Sequence, residues 1–289
     1  MSQPTPAIQT ENLTRRFNSL TAVDRLNLTV PRGVIFGFLG PNGAGKSTTI
    51  NMLTGLLPPS AGTAQVSGFD IQTASLEVKR RTGVVPEGLT LYERLTASEQ
   101  IELVGRLHGL SQEEIKRRIP PLLGVLELED ASDKMILDYS HGMRKKTALA
   151  CALVHAPEIL FLDEPFEGID PIATRAIKEI LRDMVDRRGT TIFFSTHVME
   201  LAERFCDQVG IINKGQLAGV GSIPDLRQRA GLMETAALED VFIRTVGAEL
   251  EDEALLDWLT GHETIKDIAS AEDIASVSDS SARERERQV

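Results

Sequence analysis

The run Gly40-Pro41-Asn42-Gly43-Ala44-Gly45-Lys46-Ser47-Thr48 satisfies the pattern G-x-x-x-x-G-K-[ST] at every fixed position. Glycines there let the backbone bend until successive N–H groups face one anion. A helix starting near Lys46 turns the positive end of its dipole the same way. The ammonium of Lys46 suits the β- and γ-phosphates of a nucleoside triphosphate, and the Ser47 hydroxyl suits a Mg²⁺ ion. The flanks agree with such a loop. Val34-Ile35-Phe36-Gly37-Phe38-Leu39 is a short, nearly continuous apolar run that predicts a buried strand, and Thr48 to Leu53 continues as a helix.

Two further strand ends carry chemistry. Ile159-Leu160-Phe161-Leu162 leads into Asp163-Glu164-Pro165, which sets two carboxylates at the carboxyl end of a buried strand, where α/β sheets bind ligands. Asp163 can hold Mg²⁺ through its water shell, and Glu164 can take a proton from water attacking a γ-phosphate. Thr190 to Phe194 is a second apolar strand ending in Ser195-Thr196-His197. His197 can hydrogen-bond the γ-phosphate or the attacking water and hold the two in line. Between these lies Tyr139-Ser140-His141-Gly142-Met143. Ser140 is placed to cap the helix through Ala148, Leu149, Ala152 and Leu153. With Gly142 it also offers a hydroxyl and close backbone N–H groups to an anion.

Taken in order, the phosphate loop, Pro86-Glu87, Tyr139 to Met143, Asp163-Glu164, Gly168-Ile169-Asp170 and His197 resemble the nucleotide-binding domain of ATP-binding cassette (ABC) transporters, over about residues 7 to 245. The resemblance implies an α/β fold with a P-loop NTPase (RecA-like) core, an antiparallel β subdomain and an inserted helical subdomain. It implies ATP and Mg²⁺ as ligands, and a head-to-tail dimer, homodimer or pseudo-dimer with a second cassette. In that dimer Ser140 and Gly142 reach the γ-phosphate of ATP held by the other molecule. It assigns Phe17 to stacking on adenine, for which a π face suffices. Glu87 stands where the family usually has a Gln that senses Mg²⁺ and faces the membrane partner, keeping an oxygen ligand but losing the amide donor. His141 and Met143 stand where Gly and Gln are usual. These departures, with Phe166 to Pro171, resemble the ATPases that pair with ABC-2-type permeases and mostly export. The implied setting is the cytoplasmic face of a membrane, held there by an integral membrane permease subunit.

The elements that must position these residues are legible in outline. Ile8 to Leu13 and Leu26 to Val30 predict strands of an antiparallel portion, with a turn at Asn18-Ser19. After a strand near Gly83-Val84-Val85, residues Thr96 to Leu126 are largely helical by the recurrence of Ile101, Val104 and Leu107, then of Ile115, Ile119, Leu122, Leu123 and Leu126. Ile172, Ile177, Ile180, Leu181 and Met184 stripe another helix that ends at Gly189. Gln208 to Ile212 and Gln216 to Val220 form a hairpin about Lys214-Gly215, and Ala237 to Ile243 is a closing helix. We expect a cassette over 1–230 with its helical insert at about 90–155, a closing segment at 231–250, and an acidic extension over 251–289. In that extension Trp258 with Leu255, Leu256 and Leu259 predicts a short docking helix, and Ser276 to Val289 reads as disordered.

Composition sets the outer limits. The 289 residues are 42% hydrophobic and 25% charged, ordinary for a globular chain with room for one large α/β domain. No apolar run approaches the ~18 residues of a membrane-spanning helix, and the start lacks the basic and apolar segments of a signal peptide, so a cytoplasmic protein is expected. A net charge of −11 argues against a broad nucleic-acid surface. Cys151 and Cys206, outside any C-x-x-C spacing, read as core thiols. Two other readings stay open: a soluble ABC ATPase outside transport, and a regulatory module that holds ATP without hydrolysing it, raised by Glu87 and His141.

Overall fold

The computed structural model describes residues 5–247. The chain begins with β1 (Ile8–Phe17), β2 (Leu20–Leu26) and β3 (Thr29–Val30), then β4 (Ile35–Leu39) feeding α1 (Lys46–Leu53), and β5 (Ala61–Val66) with β6 (Phe69–Asp70). Helix α2 (Ser75–Arg81) leads to β7 (Thr82–Val85), followed by α3 (Ala97–Leu107), α4 (Gln112–Val125) and α5 (His141–Leu153). Strand and helix then alternate through β8 (Ile159–Asp163), α6 (Pro171–Arg188), β9 (Thr191–Thr196), α7 (Met199–Phe205) and β10 (Gln208–Asn213). After them come β11 (Gln216–Gly221), α8 (Ile223–Arg229) and α9 (Leu238–Val246).

Two sheets face each other. One is antiparallel, in the order β2-β1-β5-β6 with β3 also on β1; the other has the order β11-β10-β4-β9-β8-β7 and is parallel except for the β10–β11 pair. Every residue of β4, β8 and β9 is buried, as expected of central parallel strands covered on both sides. Period-two alternation divides their side chains between two cores. Leu160, Leu162 and Phe194 join the layer under α5 and α6, while Phe36, Phe38, Phe161 and Phe193 pack toward the antiparallel sheet and α1. Phe193 sits at the centre of that second layer, its ring 5.4 Å from Phe36, 5.3 Å from Phe38 and 5.6 Å from Phe161.

Register turns this architecture into a site. Leu39 pairs with Thr196 and Asp163 pairs with Ser195. The residues that follow, Gly40, His197 and Glu164, therefore leave the sheet at one edge, the carboxyl ends of parallel strands.

Local signals fix the helices. Thr96 with Glu99 and Ser111 with Glu114 form reciprocal capping boxes at the starts of α3 and α4. Asp170 accepts from the N–H groups of Ile172 and Ala173 ahead of Pro171, and Gly189 at φ 66° closes the far end of α6. Helix α9 packs Leu238 and Val241 with Val209 and Ile211 of β10.

Some expectations are corrected. The strand expected over Ile8 to Leu13 runs on to Phe17, and the Asn18-Ser19 turn joins it to β2; the strand expected over Leu26 to Val30 is divided, Leu26 ending β2 opposite Leu13 and Thr29–Val30 forming β3. Asn18 adopts φ 50°, which makes so tight a turn possible. The helical stretch Thr96 to Leu126 is two helices, broken where Gly109 turns at φ 79°. Leu107 and Ile172, placed on apolar stripes, are 78% and 79% exposed, because each lies at a helix end that overhangs the core. The acidic extension, including Trp258 and its leucine neighbours and the tail from Ser276, lies outside the described residues.

Candidate functional site

The loop after β4 takes its shape from Gly40 and Gly45, which no other residue could replace without displacement. A Cβ at Gly40 would stand 2.3 Å from the Ile212 carbonyl, and one at Gly45, where φ is 107°, 2.5 Å from the Ala22 carbonyl. Gly43 at φ 79° faces open space. Gly45 is the N-cap of α1 and supplies no side chain to its first N–H groups, so these remain as donors for an anion. Lys46 is buried; its ammonium donates to the carbonyls of Gly40 at 2.8 Å and Pro41 at 3.2 Å, which curls the loop around its own cation. Ser47 and Thr48 follow on the first turn, half-buried, and Ala44 is buried beneath. Pro41 and Asn42 are exposed at the loop tip.

Opposite stands the end of β8. Glu164 is buried at φ 46°, a left-handed conformation unusual for a glutamate and of the strained kind found at functional sites. One oxygen, Oε1, lies 3.4 Å from Lys46 Nζ and accepts from His197 Nδ1 at 3.1 Å. The loop lysine, the strand-end glutamate and the histidine of the neighbouring strand thus meet at one atom. Asp163 is held differently: Ser195 donates its hydroxyl proton to Asp163 Oδ1 at 2.5 Å and accepts the Glu164 N–H at 3.1 Å. Ser195 therefore orients both carboxylate-bearing residues, a role outside the sequence expectations, since a serine two residues before a histidine gives no sign of where its hydroxyl points.

Phe17 closes the β1–β2 hairpin opposite Leu20, and β2 passes behind the phosphate loop, where Asp24 N–H donates to Gly215 and Gly215 N–H donates to Ala44. The ring is half-exposed, with the Arg15 guanidinium over it at 4.5 Å. Ser140 caps α5 by accepting from Met143 N–H, as expected of its position. Ser140 itself is exposed, and with Gly142 makes no hydrogen bond to Lys46, Glu164 or His197 among the described residues. Glu87, just past β7, is exposed and bonds to neither the phosphate loop nor Asp163 among the described residues.

A buried cation, Lys145, lies outside the sequence expectations. Lys145 is 5% exposed, and its ammonium donates to the carbonyls of Glu164 at 2.9 Å and Glu167 at 2.5 Å. Burial pushes its pKa down, against the pull of the Glu167, Glu164 and Glu87 charges. The signal was present: Lys145, Ala148, Leu149 and Ala152 follow the spacing of one helical face, and a lysine on an apolar stripe calls for a partner.

For a divalent ion, the expected donors are the Ser47 hydroxyl, the Asp163 carboxylate, whose second oxygen is not engaged by Ser195, and Glu87, which is exposed. Among the described residues no three His, Cys, Asp or Glu side chains form a metal cage. Hard oxygen donors in such small number fit Mg²⁺, which keeps waters and takes the rest of its shell from phosphate oxygens.

Residues 23–167 match the family model described as ABC transporter. The chain is similar to the daunorubicin/doxorubicin resistance ATP-binding protein of Streptomyces peucetius, with 40% identity over 230 residues, 80% of this chain and 69% of that protein. It is also similar to the linearmycin resistance ATP-binding protein of Bacillus subtilis, with 37% identity over 78% of this chain and 72% of that one. Among solved structures, an ATP-binding subunit of an ABC transporter superposes with a TM-score of 0.78 at 32% identity, covering 83% of this chain and 99% of its own. A dimeric bacterial ABC transporter cassette superposes with a TM-score of 0.70 at 25% identity, covering 75% of this chain and 98% of its own.

Proposed function

This chain belongs to the ABC transporter family as its ATP-binding, ATP-hydrolysing subunit, and we propose that it drives export through a separate membrane permease of ABC-2 type. The observation that carries the catalytic part is the convergence of Lys46 and His197 on Oε1 of Glu164. The resistance proteins it resembles support the direction of transport. No helix among the described residues is long and apolar enough to cross a membrane.

The residues divide the work as follows. Gly40 to Thr48 wrap the triphosphate with backbone N–H groups, Lys46 supplies positive charge, and the free face of Phe17 stacks on adenine. Glu164 takes the proton of the attacking water, and His197 keeps that carboxylate and the γ-phosphate in line. Ser47 and Asp163 would hold Mg²⁺, whose contribution is to neutralise charge developing on the phosphate oxygens. Glu87, at the exposed turn after β7, is suited to face that ion's water shell and the permease together. Ser140, exposed, and Gly142, half-buried, neither bonded to Lys46, Glu164 or His197 among the described residues, are suited to the nucleotide of a second cassette. ATP between two such surfaces binds the closed pair better than the open one, and hydrolysis removes that difference.

The test is phosphate release from Mg²⁺-ATP by the full chain purified with its permease, alongside Glu164→Gln. Replacing the base should lower kcat by about a hundredfold or more while ATP is still bound, so that ATP accumulates a dimer visible by gel filtration. Turnover like that of the wild type in this variant would remove Glu164 as the base.

A further inference from the structure

Resting on the reading just given, we infer that Lys145 is a positioning residue for hydrolysis: its buried ammonium fixes the backbone of Glu164 and ties the start of α5 to the loop that carries the base.

The tie is built from both ends of one residue. The Glu164 N–H is held by Ser195 Oγ at 3.1 Å and its carbonyl by Lys145 Nζ at 2.9 Å. With N–H and C=O both engaged, the left-handed conformation at φ 46° is held, and the side chain is aimed at Lys46 and His197. The same ammonium reaches the Glu167 carbonyl at 2.5 Å and so spans the turn from Glu164 to Glu167. Among the described residues Lys145 makes no ion pair with a carboxylate. Its charge is met by backbone dipoles, an arrangement with fixed direction in which an unpaired carbonyl or ammonium would be costly.

A second contact joins the same two elements. A Cβ on Gly168, which sits at φ 70°, would stand 2.9 Å from Cδ2 of His141, so the loop after Glu164 lies close against the first residue of α5. That first turn also carries Ser140 and Gly142, the groups assigned to the partner's nucleotide. Seating of α5 on the partner's phosphate is therefore relayed, through Lys145, to the base of this chain's own site. Such a link acts on the orientation of the base, while Lys145 itself makes no bond to the phosphate loop among the described residues.

The experiment compares the full chain with Lys145→Met and Lys145→Arg by phosphate release, by ADP titration calorimetry and by thermal unfolding. Lys145→Met should lower kcat by about tenfold or more, while KM for ATP and ADP affinity stay within about twofold, the signature of an interaction felt in the transition state. Lys145→Arg, which keeps charge and donors, should recover turnover to within about threefold. The inference is overturned if Lys145→Met turns over like the wild type. It is equally overturned if both variants lose kcat, KM and thermal midpoint together, which is the pattern of a residue needed only for packing. Should Lys145→Met prove insoluble, Lys145→Gln takes its place against Lys145→Arg with the same criteria. A wild-type chain that releases no phosphate beside its permease sinks the hydrolysis reading itself, an outcome distinct from either.

Discussion

Lys46 Nζ lies 3.4 Å from Glu164 Oε1, and both side chains are buried. The loop cation and the strand-end carboxylate thus share a pocket in which each compensates the other. A cation so placed can serve a phosphate and a carboxylate in turn, and the loop carbonyls of Gly40 and Pro41 keep it in reach of both. Lys46→Ala removes all of these contacts. ATP affinity should fall by about tenfold or more, the range for losing a hydrogen bond to a charged group. Calorimetry with ATP reads the change, and an unaltered affinity would show that the phosphates are held elsewhere.

Ser195 makes the same kind of argument for the metal. Its hydroxyl bonds Asp163 Oδ1 at 2.5 Å and the Glu164 N–H at 3.1 Å, so Ser195→Ala frees the carboxylate to rotate and leaves a buried N–H unpaired. Outer partners of metal ligands are typically worth about ten- to a hundredfold in metal affinity. A Mg²⁺ titration of ATPase activity should therefore show a half-saturating concentration raised by about tenfold, with ATP binding in the absence of metal little changed. An unchanged Mg²⁺ requirement would leave Asp163 without a metal role.

How much of this was legible follows from physical cause. The ends of β8 and β9 were readable because Ile159 to Leu162 and Ile192 to Phe194 are short apolar runs rich in β-branched and aromatic residues, consistent with buried strands. Their alignment at one edge was not, since register is set by pairing between distant segments such as Asp163 with Ser195. The left-handed φ of Glu164 was equally hidden, because glutamate carries no local preference for it and the conformation is held by Ser195 and Lys145. Leu107 and Ile172 show the converse limit: helical spacing says which residues share a face but not how far along the helix the core extends.

The link between α5 and β7 carries a pH dependence. His155, just beyond α5, bonds the Thr82 carbonyl through Nε2 and stacks on His108 at 3.6 Å between ring centres. Burial above all, then the His108 and Arg118 charges, hold its pKa down to about 4 from the usual 6.5. A depressed value means the unfolded chain binds the proton more tightly. The contribution of neutral His155 is therefore complete above pH 6.5 and is lost as pH falls toward 4. Discounted for the water that reaches the ring, this amounts to about 1 kcal/mol, or a few degrees in thermal midpoint. His155→Leu should flatten the fall in midpoint between pH 7 and pH 4, and a slope identical to that of the wild type would exclude His155 as its source.

Phe193 joins the fold to the site, because its ring touches Phe36 and Phe38 of β4 and Phe161 of β8, the strands that deliver the phosphate loop and the carboxylates. It is completely buried. Phe193→Ala removes a ring from a layer whose backbone is pinned by parallel pairing on both sides, so the surroundings can close over the cavity only in part. The expected loss is about 3–5 kcal/mol, a large share of the ~5–15 kcal/mol that ordinarily separates folded from unfolded chains. Urea unfolding should show a lower midpoint at unchanged slope, since the surface exposed on unfolding hardly differs. Saturating ATP should restore part of the midpoint, because ligand that binds only the folded chain adds its binding free energy to stability. A variant as stable as the wild type would mean that the three flanking rings repack without it, and that the aromatic layer does not set the spacing of the strands beneath the site.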